Sequence, residues 1–402
     1  MTTTEPPMPA QGASAAAFPL GAAVTADALA ADPHPVLARL RDREPVSWAP
    51  ALGCWLVTRH DLAVRVLRDP ALFTVDDPRF STARVVGPSM LSLDGPEHAR
   101  HRDPFARPFR PARTRERFTA FVAAEAGRLV GALAPRGRAE LRRDVAGPLS
   151  VAVVARALGL AGVDAATVRS WYGAFVGAVS ALTAGDEPPA AAAGARARLR
   201  AAVEASLAGD GDTLLREAAA GAGLTTAEVV ADAAVLMFGG IDTTEGMIAN
   251  AAAALLARPD QLARVRADRS LLPAAVEESL RFEPAAAVLD RYATAGTVLG
   301  GARIAAGDPV RVSVTAAGRD PAVFADPDRF DVGRGDAGAH LAFARGPHFC
   351  FGAHLARLET VAVLEALLDR LPGLRADGPA PARGLVFRKP NAVPVRWDAP
   401  GE

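Results

Sequence analysis

A histidine and a cysteine stand two residues apart in a loop bounded by glycines, and both side chains could take part in chemistry. They are His348 and Cys350, in the run Gly346-Pro-His-Phe-Cys-Phe-Gly352. The apolar spacing that follows predicts a helix beginning just after the cysteine. A thiol at a helix N-terminus meets unpaired backbone N–H groups and the positive end of the helix dipole, which favour the thiolate. The two glycines are expected to permit close backbone approach and unusual dihedral angles.

The residues themselves leave two roles open for Cys350. A lone cysteine is most often a small, buried, apolar side chain. It could instead be a nucleophile with His348 as its base. Two residues apart in a loop is poor geometry for such a pair, and no nucleophile-elbow motif accompanies it.

An acid and two alcohols follow a pair of glycines in Phe238-Gly-Gly-Ile-Asp-Thr-Thr244, inside a predicted helix. Each glycine costs a helix about 1 kcal/mol relative to alanine. Close packing of a neighbouring helix would explain the two glycines. So would a flat cofactor lying against the helix with room for a diatomic ligand, to which Asp242 and Thr243 could pass protons. Thr244 is expected to pack.

Two further pairs have helical spacing. His98 and Arg102, at i and i+4, share one face of a predicted helix. A zinc site on His98 and His101 lacks a third ligand. Glu278 and Arg281, at i and i+3, could be a surface ion pair worth about 0.2–0.5 kcal/mol.

The cysteine loop resembles the haem-binding loop of the cytochromes P450, the haem-thiolate monooxygenases. The matching residues are Phe343, Gly346, His348, Cys350 and Gly352. The resemblance implies that the thiolate of Cys350 is the axial ligand of haem iron, here haem b. It also implies that His348 faces a haem propionate. Ala344 stands where many members have glycine.

Three other segments resemble motifs of the same family, in the same order along the chain. The resemblance implies that Thr243 hydrogen-bonds the oxygen being activated and that Asp242 helps to relay protons. It implies that Gly239 lies against the cofactor. Further residues implied to bind the propionates are His98, Arg102 and Arg291. Residues implied to form a buried structural network are Glu278, Arg281 and, in a segment resembling the family's meander, Arg334.

The resemblance spans residues 45–397 and implies a mainly α, single-domain P450 fold with small marginal β-sheets. We expect a tail over residues 1–17 and one haem-thiolate domain over 18–402. A hairpin is predicted from Val46-Ser-Trp and Cys54-Trp-Leu-Val-Thr, and a strand-like stretch over 385–397. A capping box at Thr225 opens a helix predicted to run to Ala257.

Composition narrows the class of protein. The 402 residues are 50% hydrophobic and 22% charged with zero net charge, which disfavours a nucleic-acid or anionic-membrane binder. Two cysteines exclude a disulfide scaffold. No uninterrupted apolar run is long enough for a membrane span, and no N-terminal signal is visible. We therefore expect a cytoplasmic protein. The resemblance implies a soluble bacterial member of the family, and we expect its source to have a GC-rich genome.

The resemblance implies insertion of one oxygen atom from O2 into an organic small molecule. The pocket residues it implies are Val235, Phe238, Ala287, Val288, Val386 and Phe387, which suit an apolar or aromatic substrate, with specialised metabolism as the expected setting. A separate ferredoxin and ferredoxin reductase using NAD(P)H are implied as electron donors. Arginines expected to form a docking patch for the ferredoxin are Arg107, Arg110, Arg113, Arg345 and Arg357. The alternatives are a haem enzyme of another outcome (aryl coupling, dehydration or isomerisation), a non-catalytic haem-binding module, and, most distant, a cysteine hydrolase.

Overall fold

The computed structural model describes residues 17–160, 163–184, 186–209 and 213–398. The predicted tail therefore lies outside the described residues, except for Ala17. Within the described ranges, no helix is both long enough and apolar enough to cross a membrane.

Helices dominate the chain. They are α1 (Pro19–Ala22), α2 (Ala26–Ala31), α3 (His34–Arg43), α4 (His60–Arg68), α5 (Ser81–Val86), α6 (Gly95–Ala106), α7 (Pro111–Gly131), α8 (Gly147–Leu158), α9 (Ala165–Ala184), α10 (Ala190–Ala208), α11 (Leu214–Ala222), α12 (Thr226–Gly240), α13 (Asp242–Leu256), α14 (Pro259–Ala267), α15 (Leu272–Phe282), α16 (Val314–Ala317) and α17 (Ala353–Arg370). A π-helical turn, Arg142–Ala146, leads into α8, and a 3₁₀ turn, Gly346–His348, precedes the cysteine.

The strands are short and lie at the margins. They are β1 (Val46–Ala49), β2 (Cys54–Val57), β3 (Phe73–Thr74), β4 (Arg138–Glu140), β5 (Val288–Ala293), β6 (Thr297–Leu299), β7 (Ala302–Ile304), β8 (Pro309–Ser313), β9 (Arg375–Ala376), β10 (Ala382–Arg383), β11 (Lys389–Pro390) and β12 (Pro394–Arg396). The largest sheet has the order β1-β2-β8-β5-β3, and the others are β4-β12-β9, β10-β11 and β6-β7.

The predicted hairpin is confirmed. Strand β1 pairs antiparallel with β2, with Val46 opposite Val57 and Ala49 opposite Cys54. The connection ends at Gly53, whose φ of 61° is left-handed and suits glycine. The strand-like stretch at the C-terminus is only partly strand, since β11 and β12 are separated by a short irregular segment.

The main apolar core lies between the long helices. Buried side chains of α7, such as Phe118 and Val122, join the same cluster as Val363 and Leu367 of α17. Helix α17 packs along α7 and also against α13 and α15. Helix α17, which begins where the cysteine loop ends, is therefore held from several sides.

The prediction of one continuous helix from Thr225 to Ala257 is wrong in its continuity. The capping box at Thr225 is present, but the helix is interrupted at Ile241 and divides into α12 and α13. Two glycines precede the break, and the hydroxyl of Thr243 donates to the carbonyl of Gly239, competing with the helical backbone bond to that carbonyl. The break places Asp242 at the first position of α13.

Candidate active site

The cysteine loop holds Cys350 in a half-buried turn. Its backbone N–H donates to the carbonyl of Phe343 at 2.9 Å, which closes the loop. The N–H groups of Gly352 and Ala353, at the start of α17, face the sulfur. Burial raises the pKa of the thiol and outweighs these N–H groups and the charges of Arg102 and Arg357. The helix N-terminus alone therefore does not lower the pKa below its ordinary value.

The loop needs glycine at one of its two predicted positions. Gly346 has a φ of 73°, and a Cβ there would lie 2.4 Å from the carbonyl oxygen of Leu67. Gly352 has an ordinary φ of −74°, so the prediction of an unusual dihedral is wrong there. A Cβ added at Gly352 would make a van der Waals contact with the sulfur of Cys350 at 3.7 Å. Ala344 has a φ of 60°, a conformation that favours glycine and costs an alanine about 1 kcal/mol.

The histidine beside the cysteine is bound elsewhere. His348 Nε2 lies 2.8 Å from Asp94 Oδ1, at the N-cap of α6. Burial raises the pKa of Asp94, but hydrogen bonds from His348, Thr74 and the N–H of Val75 together hold it at about 2. With that nitrogen bound to a carboxylate, His348 is poorly placed to act as the base for Cys350.

Cationic and imidazole groups from three elements gather beside the loop. The rings of His98 and His348 lie 4.2 Å apart between centroids. Arg102 donates to the carbonyl of Phe349, and Arg291, on β5, donates to the carbonyl of Asp290 at 2.7 Å. Burial lowers the pKa of Arg291 to about 10.

One atom of this cluster has no protein partner. His98 Nε2 is buried without a hydrogen bond among the described residues. Burial and the neighbouring charges of His348 and Arg102 lower the pKa of His98 to about 4. A buried polar atom without a partner is costly, and carboxylates of a bound group would satisfy it and the two arginines. This donor set fits the propionates of haem.

The two glycines before Asp242 have different surroundings. A Cβ on Gly240 would lie 2.5 Å from Cγ2 of Val154, so close packing of α8 explains that glycine. A Cβ on Gly239 would have no atom within 4 Å. Close packing of a neighbouring helix therefore explains Gly240. Gly239 leaves an open surface of α12, as expected for a position against which a flat cofactor lies.

Asp242 is held by a residue that the sequence did not single out. The ammonium of Lys389, on β11, donates to Asp242 Oδ1 and lies 3.1 Å from Glu245 Oε1. The hydroxyl of Tyr172, on α9, also faces Asp242. The one available signal was that Lys389 is the only lysine in the chain.

The predicted pocket residues come from two groups of elements. The N–H of Ala287 donates to the carbonyl of Val386 at 2.9 Å, so residues 285–288 run beside 385–388. In this second segment Val386 is 39% and Phe387 is 41% exposed, although both are large and apolar. On α12, Phe238 lies 6.0 Å from Tyr172 between ring centroids, and Val235 is buried. Val288 is half-buried at the start of β5.

The structure brings Glu278, Arg281 and Arg334 together in the interior. Arg281 donates to both carboxylate oxygens of Glu278, at 2.7 and 2.8 Å, and Arg334 Nε lies 3.1 Å from Glu278 Oε2. The side chains of Glu278 and Arg281 are fully buried, and that of Arg334 is 8% exposed. These contacts are not those of a surface pair.

The second histidine of α6, His101, has its own partner. His101 Nδ1 lies 2.8 Å from Asp232 Oδ2, and both side chains are buried. Asp232 also accepts from the N–H of Met90 at 2.8 Å, which ties the segment before α6 to α12. His98 and His101 therefore serve different clusters and do not face a common ligand.

Comparison with known proteins agrees with this geometry. The family model for cytochrome P450 matches residues 198–372. The cytochrome P450 monooxygenase PikC of Streptomyces venezuelae is 37% identical, over 96% of this chain and 96% of its own. The chain belongs to the cytochrome P450 family. The mycinamicin IV hydroxylase/epoxidase of Micromonospora griseorubida, another curated match to this P450, is 35% identical over 89% of this chain and 94% of its own.

Solved structures show the same architecture. A hydroxylase involved in himastatin biosynthesis superposes with a TM-score of 0.81 at 30% identity, covering 93% of this chain and all of that one. The predicted family, the mainly α P450 fold and the enzyme class are confirmed. The P450 is a haem-dependent monooxygenase, and its named relatives are bacterial.

Proposed function

We propose that this P450 inserts one atom of O2 into an apolar or aromatic small molecule of specialised metabolism. The observation that carries the proposal is the open face of α12 at Gly239, next to Asp242 and Thr243. The residues assigned to the pocket are mainly small or apolar. Relatives named for mycinamicin and himastatin support specialised metabolism as the setting.

The substrate class is open to a direct test. A library of apolar, aromatic and polar compounds would be screened for a shift of the haem spin state. We expect shifts to be confined to apolar and aromatic members. If only small, charged compounds shifted the spin state, that result would contradict the proposed class of substrate.

The cofactor we propose is haem b, held without covalent links to its edge. Cys350 would ligate the iron, in a loop that also contains Phe343. His98, Arg102, Arg291 and His348 would hold the propionates. Cys54, the other cysteine, is buried in β2, where burial raises the pKa of its thiol to about 12, so it is poorly suited to a bond with the cofactor. The bound haem would activate O2 with two electrons supplied from outside.

The protein's part in that chemistry is to supply protons. Asp242 and Thr243 are the first two residues of α13, directly after the break in the helix. The Thr243 hydroxyl already takes part in a hydrogen bond to Gly239, at the open face. An acid–alcohol pair of this kind favours activation of O2 over a redox-neutral dehydration, an isomerisation or a purely binding role, which need no such relay.

Replacing Thr243 by alanine tests the relay. The variant should bind haem and substrate but form several-fold less product per NAD(P)H consumed, because protons no longer reach the reacting oxygen reliably. The measurement is product and hydrogen peroxide per NAD(P)H. Thr244→Val, at the buried neighbour, is the control and should keep wild-type coupling. Equal coupling in both variants would mean that another group delivers the proton.

A separate ferredoxin is the electron donor that we propose, reduced by a ferredoxin reductase and NAD(P)H. A depression of about 350 Å³ lies on the sulfur side of the loop, lined by Cys350, Phe351 and His354 together with Arg107 and Arg110. Both of these arginines are exposed. An acidic protein would be steered to this face.

Not every arginine expected in the docking patch is available there. Arg357 donates to both oxygens of Glu277, at 2.9 Å to the second, and Arg113 pairs with Glu116 at 3.2 Å. Arg345 is half-buried and bonded to backbone carbonyls. Exposed Arg115, which the sequence did not single out, contributes positive charge next to His354.

Charge reversal at Arg110 tests the docking face. Arg110→Glu should slow reduction by an acidic ferredoxin several-fold at low salt and flatten its salt dependence, because steering is screened as the Debye length falls from about 10 Å at 0.1 M to 3 Å at 1 M. Stopped-flow reduction is the measurement, with dithionite reduction unaffected. Arg303→Glu, at an exposed position on the separate β6-β7 sheet, is the matched control. Equal slowing in the two variants would place the docking face elsewhere.

The location and domain structure remain proposals as well. We propose that the enzyme works in the bacterial cytoplasm, without a nucleic-acid or membrane partner, as one haem domain over residues 18–402.

A further inference from the structure

A strand from the C-terminal part of the chain lies along one stripe of α13. Asp242, Gly246 and Asn250 are spaced at i, i+4 and i+8, and therefore share a face of this helix. Asn250 Nδ2 donates to the carbonyl of Arg388 at 3.0 Å, which anchors the residue before Lys389. A Cβ on Gly246 would lie 2.9 Å from Cβ of Ala285 and 3.4 Å from Cδ of Lys389, so Ala285 packs closely at this glycine and the lysine stem lies in contact with the same face of the helix.

The lysine ammonium ends between two carboxylates of that helix. It donates to Asp242 and lies 3.1 Å from Glu245 Oε1, and its side chain is only 11% exposed. Glu245 also accepts from Arg142, whose Nη1 donates to the carbonyl of Asn391 at 3.0 Å. Two carboxylates and two cations thus form a neutral network that joins α13, β11 and the π-helical turn before α8.

Within this network Lys389 is the cation that contacts Asp242. Among the described residues, the hydroxyl of Tyr172 also faces Asp242, and it carries no charge at neutral pH because burial and the nearby carboxylates raise its pKa. A mostly buried carboxylate that loses its cation is left without compensating charge and is free to change its orientation. Asp242 stands directly after the break between α12 and α13, as the first residue of α13.

We propose that Lys389 is a positioning residue for the monooxygenase reaction, holding the Asp242 carboxylate where it can relay protons toward Thr243. This inference rests on the proposed role of Asp242. It assigns no contact between Lys389 and the substrate or the cofactor.

A double-mutant cycle in the haem-loaded enzyme tests the inference. Lys389→Met should lower the product formed per NAD(P)H several-fold. Lys389→Arg should keep most of the wild-type yield, because arginine keeps the positive charge. If the lysine acts through the aspartate, Lys389→Met combined with Asp242→Asn should be no worse than Asp242→Asn alone. Additive losses in the double variant would overturn the inference, since the lysine would then act independently of Asp242.

The same cycle distinguishes the role inferred for Lys389 from the proposed role of Asp242 on which it rests. If Asp242→Asn uncouples the enzyme and Lys389→Met does not, the role of Lys389 is overturned and the proposed relay through Asp242 stands. Full coupling in Asp242→Asn would overturn both.

The single lysine also permits a test that needs no turnover. Acetic anhydride can acylate only one side-chain amine in this chain, and peptide mass spectrometry separates it from the N-terminal amine. In the folded wild-type holoenzyme Lys389 should react slowly, and in Asp242→Asn it should react several-fold faster. Fast acylation in the wild type would show that the ammonium is not held by the carboxylates, and would overturn the inference even if Lys389→Met fails to fold.

Discussion

Cys350→Ser should abolish the red-shifted Soret band of the reduced carbon-monoxide complex, because that band depends on a thiolate ligand and a serine hydroxyl does not replace it. The Cys350 sulfur is placed by the bond from its own N–H to Phe343 and faces the N–H groups of Gly352 and Ala353. Serine preserves the size and the backbone, so the loop should keep its conformation. Absorption spectroscopy of the reduced, carbon-monoxide-treated protein is the measurement.

The second cysteine supplies the control for this result. Cys54 is buried in β2, and Cys54→Ala should keep the red-shifted band, with a modest loss of stability from the smaller side chain. A normal band in Cys350→Ser would contradict the assignment of the ligand. Loss of the band in Cys54→Ala with haem still bound would contradict it equally.

Glu278→Ala should yield little haem-loaded protein. The carboxylate is fully buried between Arg281 and Arg334 and also accepts from the N–H of Asp331 at 2.8 Å. Its removal leaves the buried Arg281 guanidinium without an anion and leaves Arg334 with only Asp336, at 3.5 Å, at a cost of about 3–5 kcal/mol. That is a large part of the roughly 5–15 kcal/mol that stabilises a typical folded protein. The measurements are the yield of haem-loaded protein and its thermal midpoint.

An exposed pair with the same spacing provides the matched control. Arg113 and Glu116 also stand at i and i+3, with a hydrogen bond of 3.2 Å between them, but their side chains are 66% and 67% exposed. Glu116→Ala should therefore cost less than about 1 kcal/mol, the usual range for a solvent-exposed pair. If both variants lost the same small amount of stability, burial of Glu278 would not matter in the way proposed.

The sequence by itself singled out the groups to which we assign the chemistry. The cysteine loop, the acid–alcohol pair and the two charged helix faces are local patterns, and helical spacing or a short motif is enough to identify them. The helix after Cys350 and the hairpin at Gly53 were predicted for the same reason, since both depend on residues close together in the chain.

Only the tertiary structure decided which groups these residues meet. Lys389 and Asp242 are 147 residues apart, and His348 and Asp94 are 254 apart, so no local pattern pairs them. The break at Ile241 was also missed, because periodicity does not show that the Thr243 hydroxyl competes for the carbonyl of Gly239. Side-chain type is a property of position in the chain, whereas burial and charge partners arise when distant segments pack. The sequence could therefore name a cysteine, an acid and a threonine, and packing alone determined that the acid is held by the chain's single lysine.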